Sequence, residues 1–172
     1  MSGRRFLSIL LLSASFVPVA FAAGYKTYTH ARFLYAVDYP DDWRVREMGK
    51  ATSIYAPRES GEDMFAENVQ IVAEDLPGQV SLIDYHRAGV GSAEKFLNGF
   101  RALEEARTQW LGRDAIVMLY TATVNGARFK FKDYKFLLGK TAYVLTYTAR
   151  EADFDRFLPQ AEDIMKSIRV SP

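Results

Sequence analysis

The sequence predicts an α+β fold built on an antiparallel sheet, and three observations carry that expectation. Four β-prone runs follow one another between Phe100 and Ala149, separated only by short turns. Ile116 to Tyr120 is apolar on both faces, as a strand covered on both sides should be. The chain closes on Phe154, Phe157, Leu158, Ala161, Ile164, Met165 and Ile168, whose spacings of three and four form one helical stripe.

The chain opens with a different kind of segment. Arg4 and Arg5 precede an apolar run from Phe6 to Val17, Pro18 breaks it, and Ala20-Phe21-Ala22 offers a small-x-small cleavage pattern. The run is shorter than the roughly 20 residues a membrane span requires. Residues 1–22 are therefore expected to be a cleaved export signal, leaving residues 23–172 as one periplasmic domain. Phe6 directly after Arg5, and a very apolar core, favour general secretory export over a twin-arginine route. Lipoprotein anchoring needs a cysteine after the cleavage site, where Ala23 and Gly24 stand.

The elements follow in order. Phe33, Tyr35, Val37 and Tyr39 alternate on one strand face, Pro40-Asp41-Asp42 turns the chain, and Trp43 to Glu47 forms a short strand. Thr52 to Ala56 is another, stopped by Pro57, and Arg58 to Phe65 reads as a polar loop. Asn68 to Leu76 is a stronger strand, closed by Pro77-Gly78. Ser81 can cap a helix carrying Leu82, Tyr85, Ala88 or Gly89, Ala93, Phe96 and Leu97, with a break expected at Gly89 and Gly91 and Ser92 available as a second N-cap. The meander Phe100–Trp110, Asp114–Val124, Ala127–Leu138 and Thr141–Ala149 turns at Gly112, Asn125-Gly126 and Gly139-Lys140. Asn-Gly between β-rich runs signals a type I′ hairpin. Phe129 and Phe131 share a face, but Tyr134, Phe136 and Leu138 continue in the opposite phase, so a β-bulge is expected near Lys132-Asp133. In the last helix, Pro159 predicts a kink or a restart.

Composition removes whole classes of chemistry. Loss of residues 1–22 takes away two arginines and no acid, leaving 20 basic against 21 acidic residues and a formal charge of −1. Nucleic-acid binding, which needs a strongly basic face, is not expected. The chain has no cysteine, which excludes disulfides, thiolate metal sites and cysteine nucleophiles. Two histidines, His30 and His86, are too few for a dedicated transition-metal site, and His30 falls in a segment read as flexible. Ser81, Asp84 and His86 mimic a triad, but positions two apart on a helix point to different sides. Asp38, Asp41 and Asp42 read as turn chemistry, since calcium needs six to eight oxygens. Glu104 and Glu105 face opposite sides of a strand and are no acid–base pair. Neither a cofactor nor a metal is expected.

Arg128, Lys130, Lys132, Lys135 and Lys140 interleave with aromatics along one hairpin. They read either as a docking surface for an acidic partner or anionic lipid head groups, or as lysines that blunt a sheet edge. The candidate binding residues are Arg128, Lys130, Lys132 and Lys135.

Several of these features occur together in one family. Tyr39-Pro40-x-x-Trp43, Glu67-Asn68-Val69-Gln70-Ile71, Ser81-Leu82-x-x-Tyr85, Tyr143 to Ala149 and Ile164-Met165-Lys166-Ser167 together resemble the PsbP-like family. That family is named for an extrinsic photosystem II subunit and includes bacterial periplasmic relatives such as DcrB. The resemblance implies a central antiparallel sheet with helices on both faces, an α/β/α sandwich. It also implies a non-enzymatic accessory protein that docks onto an envelope protein or complex. The alternative is a periplasmic small-ligand or lipid carrier, suggested by the many Tyr and Phe residues.

Overall fold

The computed structural model describes residues 24–58, 60–61 and 64–171. The expected signal segment, residues 1–22, lies outside them. Strands β1 (Tyr25–His30), β2 (Tyr35–Pro40), β3 (Arg44–Met48), β4 (Ala51–Tyr55) and β5 (Asn68–Asp75) precede helix α1 (Leu82–Phe96). Strands β6 (Asn98–Trp110), β7 (Arg113–Val124), β8 (Ala127–Leu138) and β9 (Thr141–Arg150) lead to helix α2 (Phe154–Lys166) and the short β10 (Arg169–Val170). A seven-stranded antiparallel sheet has the order β3-β4-β5-β9-β8-β7-β6, and a smaller sheet has the order β1-β2-β10.

The meander forms as its turns dictate. Asn125 and Gly126 both take positive φ, 50° and 80°, between the paired ends Val124 and Ala127. That is the type I′ geometry that matches strand twist. Ser81 caps α1, its Oγ accepting from the Asp84 N–H at 3.1 Å. The expected break at Gly89 and Gly91 is absent. Both glycines face open space on an unbroken helix, and Ser92 donates to the Ala88 carbonyl instead of starting a second helix. Nor does Pro159 restart α2, which runs through it. The missing N–H removes one helical bond to the Asp155 carbonyl.

The β-bulge expected at Lys132-Asp133 is also absent: both residues pair without a shift to Leu119 and Met118 on β7, and to Tyr147 and Thr146 on β9. The change of apolar phase has another cause. Lys130, Lys132, Tyr134 and Phe136 face α2, whereas Phe129, Phe131, Asp133 and Lys135 face the side that carries α1. Both faces are buried from Asp133 to Phe136, but the α1-side face is filled there by the Asp133–Lys135 pair and the other by Tyr134 and Phe136, so the apolar alternation switches while the register holds. The irregularities sit on β6, between Asn98 and Arg101 and between Ala102 and Glu104.

The main core lies on the α2 side. Tyr35, Val37, Ile54, Val69, Ile71, Leu145, Tyr147, Ile164 and Met165 are fully buried between the large sheet, the small sheet and α2. Burying each such side chain contributes about 1.5–3 kcal/mol. Helix α1 packs on β6, β7 and β8 of the other face and buries only His86 completely. The expected sandwich is therefore met in part: α2 shares its face with the small sheet, and α1 covers only one half of the other.

Strand β1 was not foreseen. His30, expected in a flexible segment, ends this strand and is 3% exposed, its Nδ1 accepting the Phe33 N–H at 3.3 Å. Tyr28 bonds Glu47, and Tyr35 donates to Thr52 at 2.7 Å, tying the small sheet to β3 and β4. The C-terminus is tied down by Asp38. Its carboxylate accepts two bonds from Arg169, at 2.7 and 2.8 Å, and one from Thr27 at 2.6 Å. Those bonds, Arg169 first, hold its pKa at about 2 against an ordinary 3.8.

A depressed carboxyl contributes stability that is complete above the unfolded value near 3.8 and is lost as pH falls through about 2. The contribution is small, because the pair is largely solvated. Arg169→Met should flatten the stability profile between about pH 5 and about pH 2. Urea midpoints across that range measure it, and an unchanged profile would rule out this pair as the cause.

Candidate functional site

The structure divides the four candidate residues between two faces. Arg128, Lys130 and Lys132 lie on the α2 side of β8, each against an acid. Arg128 Nε is 3.2 Å from Glu151 and its Nη2 donates to Thr121 at 2.9 Å. Lys130 Nζ sits 4.4 Å above the Phe154 ring and 3.9 Å from Asp155. Lys132 Nζ is 2.5 Å from Glu162 Oε1, while Lys166 holds the other oxygen of that carboxylate at 2.8 Å. Lys135 points the opposite way and is buried against Asp133 at 2.9 Å.

Lys130 and Lys132 border a surface groove of about 280 Å³ between α2 and the exposed strand β6. Val117, Leu119 and Tyr134 contribute apolar lining, with Phe154 and Leu158 on the α2 side. Tyr134 stacks on Trp110, ring centroids 3.8 Å apart. Burial alone would lower the Lys132 pKa, but the hydrogen bond and charge of Glu162 outweigh it and hold the ammonium above its usual range. Burial would likewise raise Glu162, yet Lys132 and Lys166 outweigh it and hold the carboxyl low. The groove thus offers an apolar strip beside fully ionised pairs. Such a strip suits a protein side chain framed by polar contacts.

On the α1 side, the arrangement is polar but internal. His86 is 1% exposed, and its Nε2 lies 3.1 Å from Glu105 Oε2, out of line for a hydrogen bond. Tyr120 donates to Asp133 at 3.5 Å, and burial with the Asp133 charge pushes its phenol far up. Ser81 is occupied as the cap, so Ser81, Asp84 and His86 form no relay. Glu104 and Glu105 pair with Leu119 and Met118 on opposite faces, as expected. The Glu105–His86 contact and the Asp133–Lys135 pair were not anticipated. The second had a readable signal: acid and base two apart on a strand share a face. Among the described residues, no group of three or more histidine, aspartate or glutamate side chains is placed to hold a metal ion. Among them, too, no helix is long and apolar enough to cross a membrane.

A seven-stranded antiparallel sheet with a terminal helix and a small sheet on one face, and a second helix on the other, defines a PsbP-like fold. Cyanobacterial PsbP from Synechocystis superposes with a TM-score of 0.63 over 92% of this chain and 99% of that one, at 14% identity. LpqN of Mycobacterium tuberculosis, involved in cell envelope biogenesis, gives 0.66 over 88% and 93%, at 16% identity. PA94 from Pseudomonas aeruginosa, a protein of unknown function, gives 0.64 over 86% and 98%, at 18% identity. No family model matches the sequence, and no curated protein matches it either. The resemblance read from the residues is therefore shown in the fold.

Proposed function

We propose that the mature chain is a non-enzymatic accessory protein of the cell envelope, exported through residues 1–22 and acting by protein–protein contact. The groove between α2 and β6 carries this reading, because it joins apolar lining to a charged border on an open strand. The buried charged pair Asp133–Lys135 supports it, each group being held by the other. LpqN, a fold neighbour, works in envelope biogenesis. Arg128, Lys130 and Lys132 form the contact edge for an envelope protein, and the same edge can meet an anionic membrane surface. Lys135 supports the strand from behind. The carrier alternative has less in its favour, since Tyr35, Phe136 and Tyr147 fill the core.

Crosslinking in intact cells, followed by pull-down with the mature protein, tests the proposal. Arg128→Glu with Lys130→Glu should reduce capture of a partner about tenfold while leaving the fold intact. Lys132 is left alone because its partner Glu162 is largely buried, so a glutamate there would be repelled out of water, whereas Glu151 and Asp155 opposite the other two are solvent-exposed. Equal capture by wild type and variant would overturn the docking role, and a co-purified small molecule in native mass spectra would favour the carrier.

A further inference from the structure

A second surface lies at the opposite edge of the large sheet. Among the described residues, strand β3 ends that sheet and pairs only with β4, so one backbone edge of Arg44–Met48 has no strand partner there. Arg44 and Arg46 occupy alternate positions and share a face, about 6.8 Å apart along the strand. Tyr55 stands opposite Arg44 and Ser53 opposite Arg46. Arg58 closes the far side of a groove of about 800 Å³ whose lining also includes Tyr55 and Pro57. All three arginines are exposed, and among the described residues none of them forms an ion pair. Asp42 is the one carboxylate among the lining residues.

We propose that this edge binds an extended, acidic peptide segment of a partner protein by adding it as a strand beside β3. Charge complementarity identifies the occupant. Among the described residues, three guanidiniums without an ion pair line this groove against one carboxylate, which calls for an anionic ligand, and the two-residue spacing of Arg44 and Arg46 selects its form. A strand paired with β3 presents its own side chains at the same repeat, so acids at alternate positions meet both arginines at once. Bonds from guanidinium to carboxylate are charge-assisted and can be bidentate, which fixes register as well as affinity. Main-chain pairing supplies the remainder. A free phosphate or a lipid head group would use the arginines but not the strand edge. The inference goes beyond the β6 groove and does not depend on it.

The test uses the mature protein and a labelled peptide alternating glutamate with valine, read by fluorescence anisotropy. Arg44→Gln with Arg46→Gln should weaken binding at least about tenfold. A peptide of the same composition with its glutamates grouped should bind more weakly than the alternating one. Methylating the peptide nitrogens along one edge should abolish binding without changing charge. An unaltered thermal midpoint shows that the variant is folded. Three results would overturn the proposal: equal binding of the alternating and grouped peptides, indifference to N-methylation, or displacement of the peptide by equimolar inorganic phosphate. Phosphatidylglycerol vesicles bound in an Arg44- and Arg46-dependent way, with no peptide binding, would assign the edge to a membrane instead. Self-association of the double variant with undiminished peptide binding would show that the arginines only guard the strand edge.

Discussion

Asp133→Ala is expected to destabilise the protein by about 3–5 kcal/mol, the largest effect of any single charge removal in this fold. Asp133 and Lys135 are 8% and 9% exposed at their side chains and lie 2.9 Å apart, and Tyr120 also donates to the carboxylate. Two charges on one strand face have been taken out of water together. Removing the acid leaves an ammonium among Ile116 and Met118, the cross-strand neighbours of the pair. That ammonium can then only drag the strand outward or admit water. The double variant Asp133→Leu with Lys135→Met should recover most of the loss, because apolar residues of similar size avoid the desolvation cost. Urea denaturation of the single and double variants decides the matter. A single-variant loss below about 1 kcal/mol would mean that Lys135 finds another partner, and the pair would lose its structural role.

Tyr147→Ala should cost about 3–5 kcal/mol, and its damage should be concentrated at α2. Tyr147 is fully buried between Val69 of β5 and Lys132 of β8, its ring 4.9 Å from that of Phe154. Its hydroxyl donates to the Phe154 carbonyl at 2.9 Å, at the first residue of α2. Truncation opens a cavity under the helix start and removes the bond that sets its height above the sheet. Tyr147→Phe keeps the volume and should lose only ~1 kcal/mol. Hydrogen exchange would locate the effect: α2 amides should lose protection before those of β6 to β8. Uniform loss across the chain would show that Tyr147 supports the whole core equally.

How much of this was legible follows from where each signal sits. The meander was readable because Asn125-Gly126 and Gly139-Lys140 punctuate long β-rich runs, and the α2 stripe because its apolar residues pack on the main core. Strand β1 was missed because Tyr25 to Thr29 is exposed or half-exposed and alternates weakly, leaving only His30 buried. The α1 stripe was overread: Phe96 is 73% exposed, since the helix covers only half of its face. At Lys132-Asp133 a change of apolar phase has two physical causes, a bulge or a buried ion pair that takes the place of apolar residues on one face, and periodicity cannot separate them. The same ambiguity concealed the site. Arg128, Lys130, Lys132 and Lys135 form one cluster in the chain, and only the pleat assigns three of them to the α2 side and one to the interior. The β3 edge depends on strand order across some hundred residues, which no local pattern encodes.

That strand order has a consequence for a chain that emerges from its N-terminus. β5 finds its inner neighbour only in β9, from Asn68 against Thr148 to Asp75 against Thr141. Everything from β1 to β5 therefore waits, without a finished core, until nearly the whole polypeptide is out. β6 to β9, by contrast, can zip together hairpin by hairpin as soon as they appear. The N-terminal half of the large sheet is thus completed last, by closing on β9.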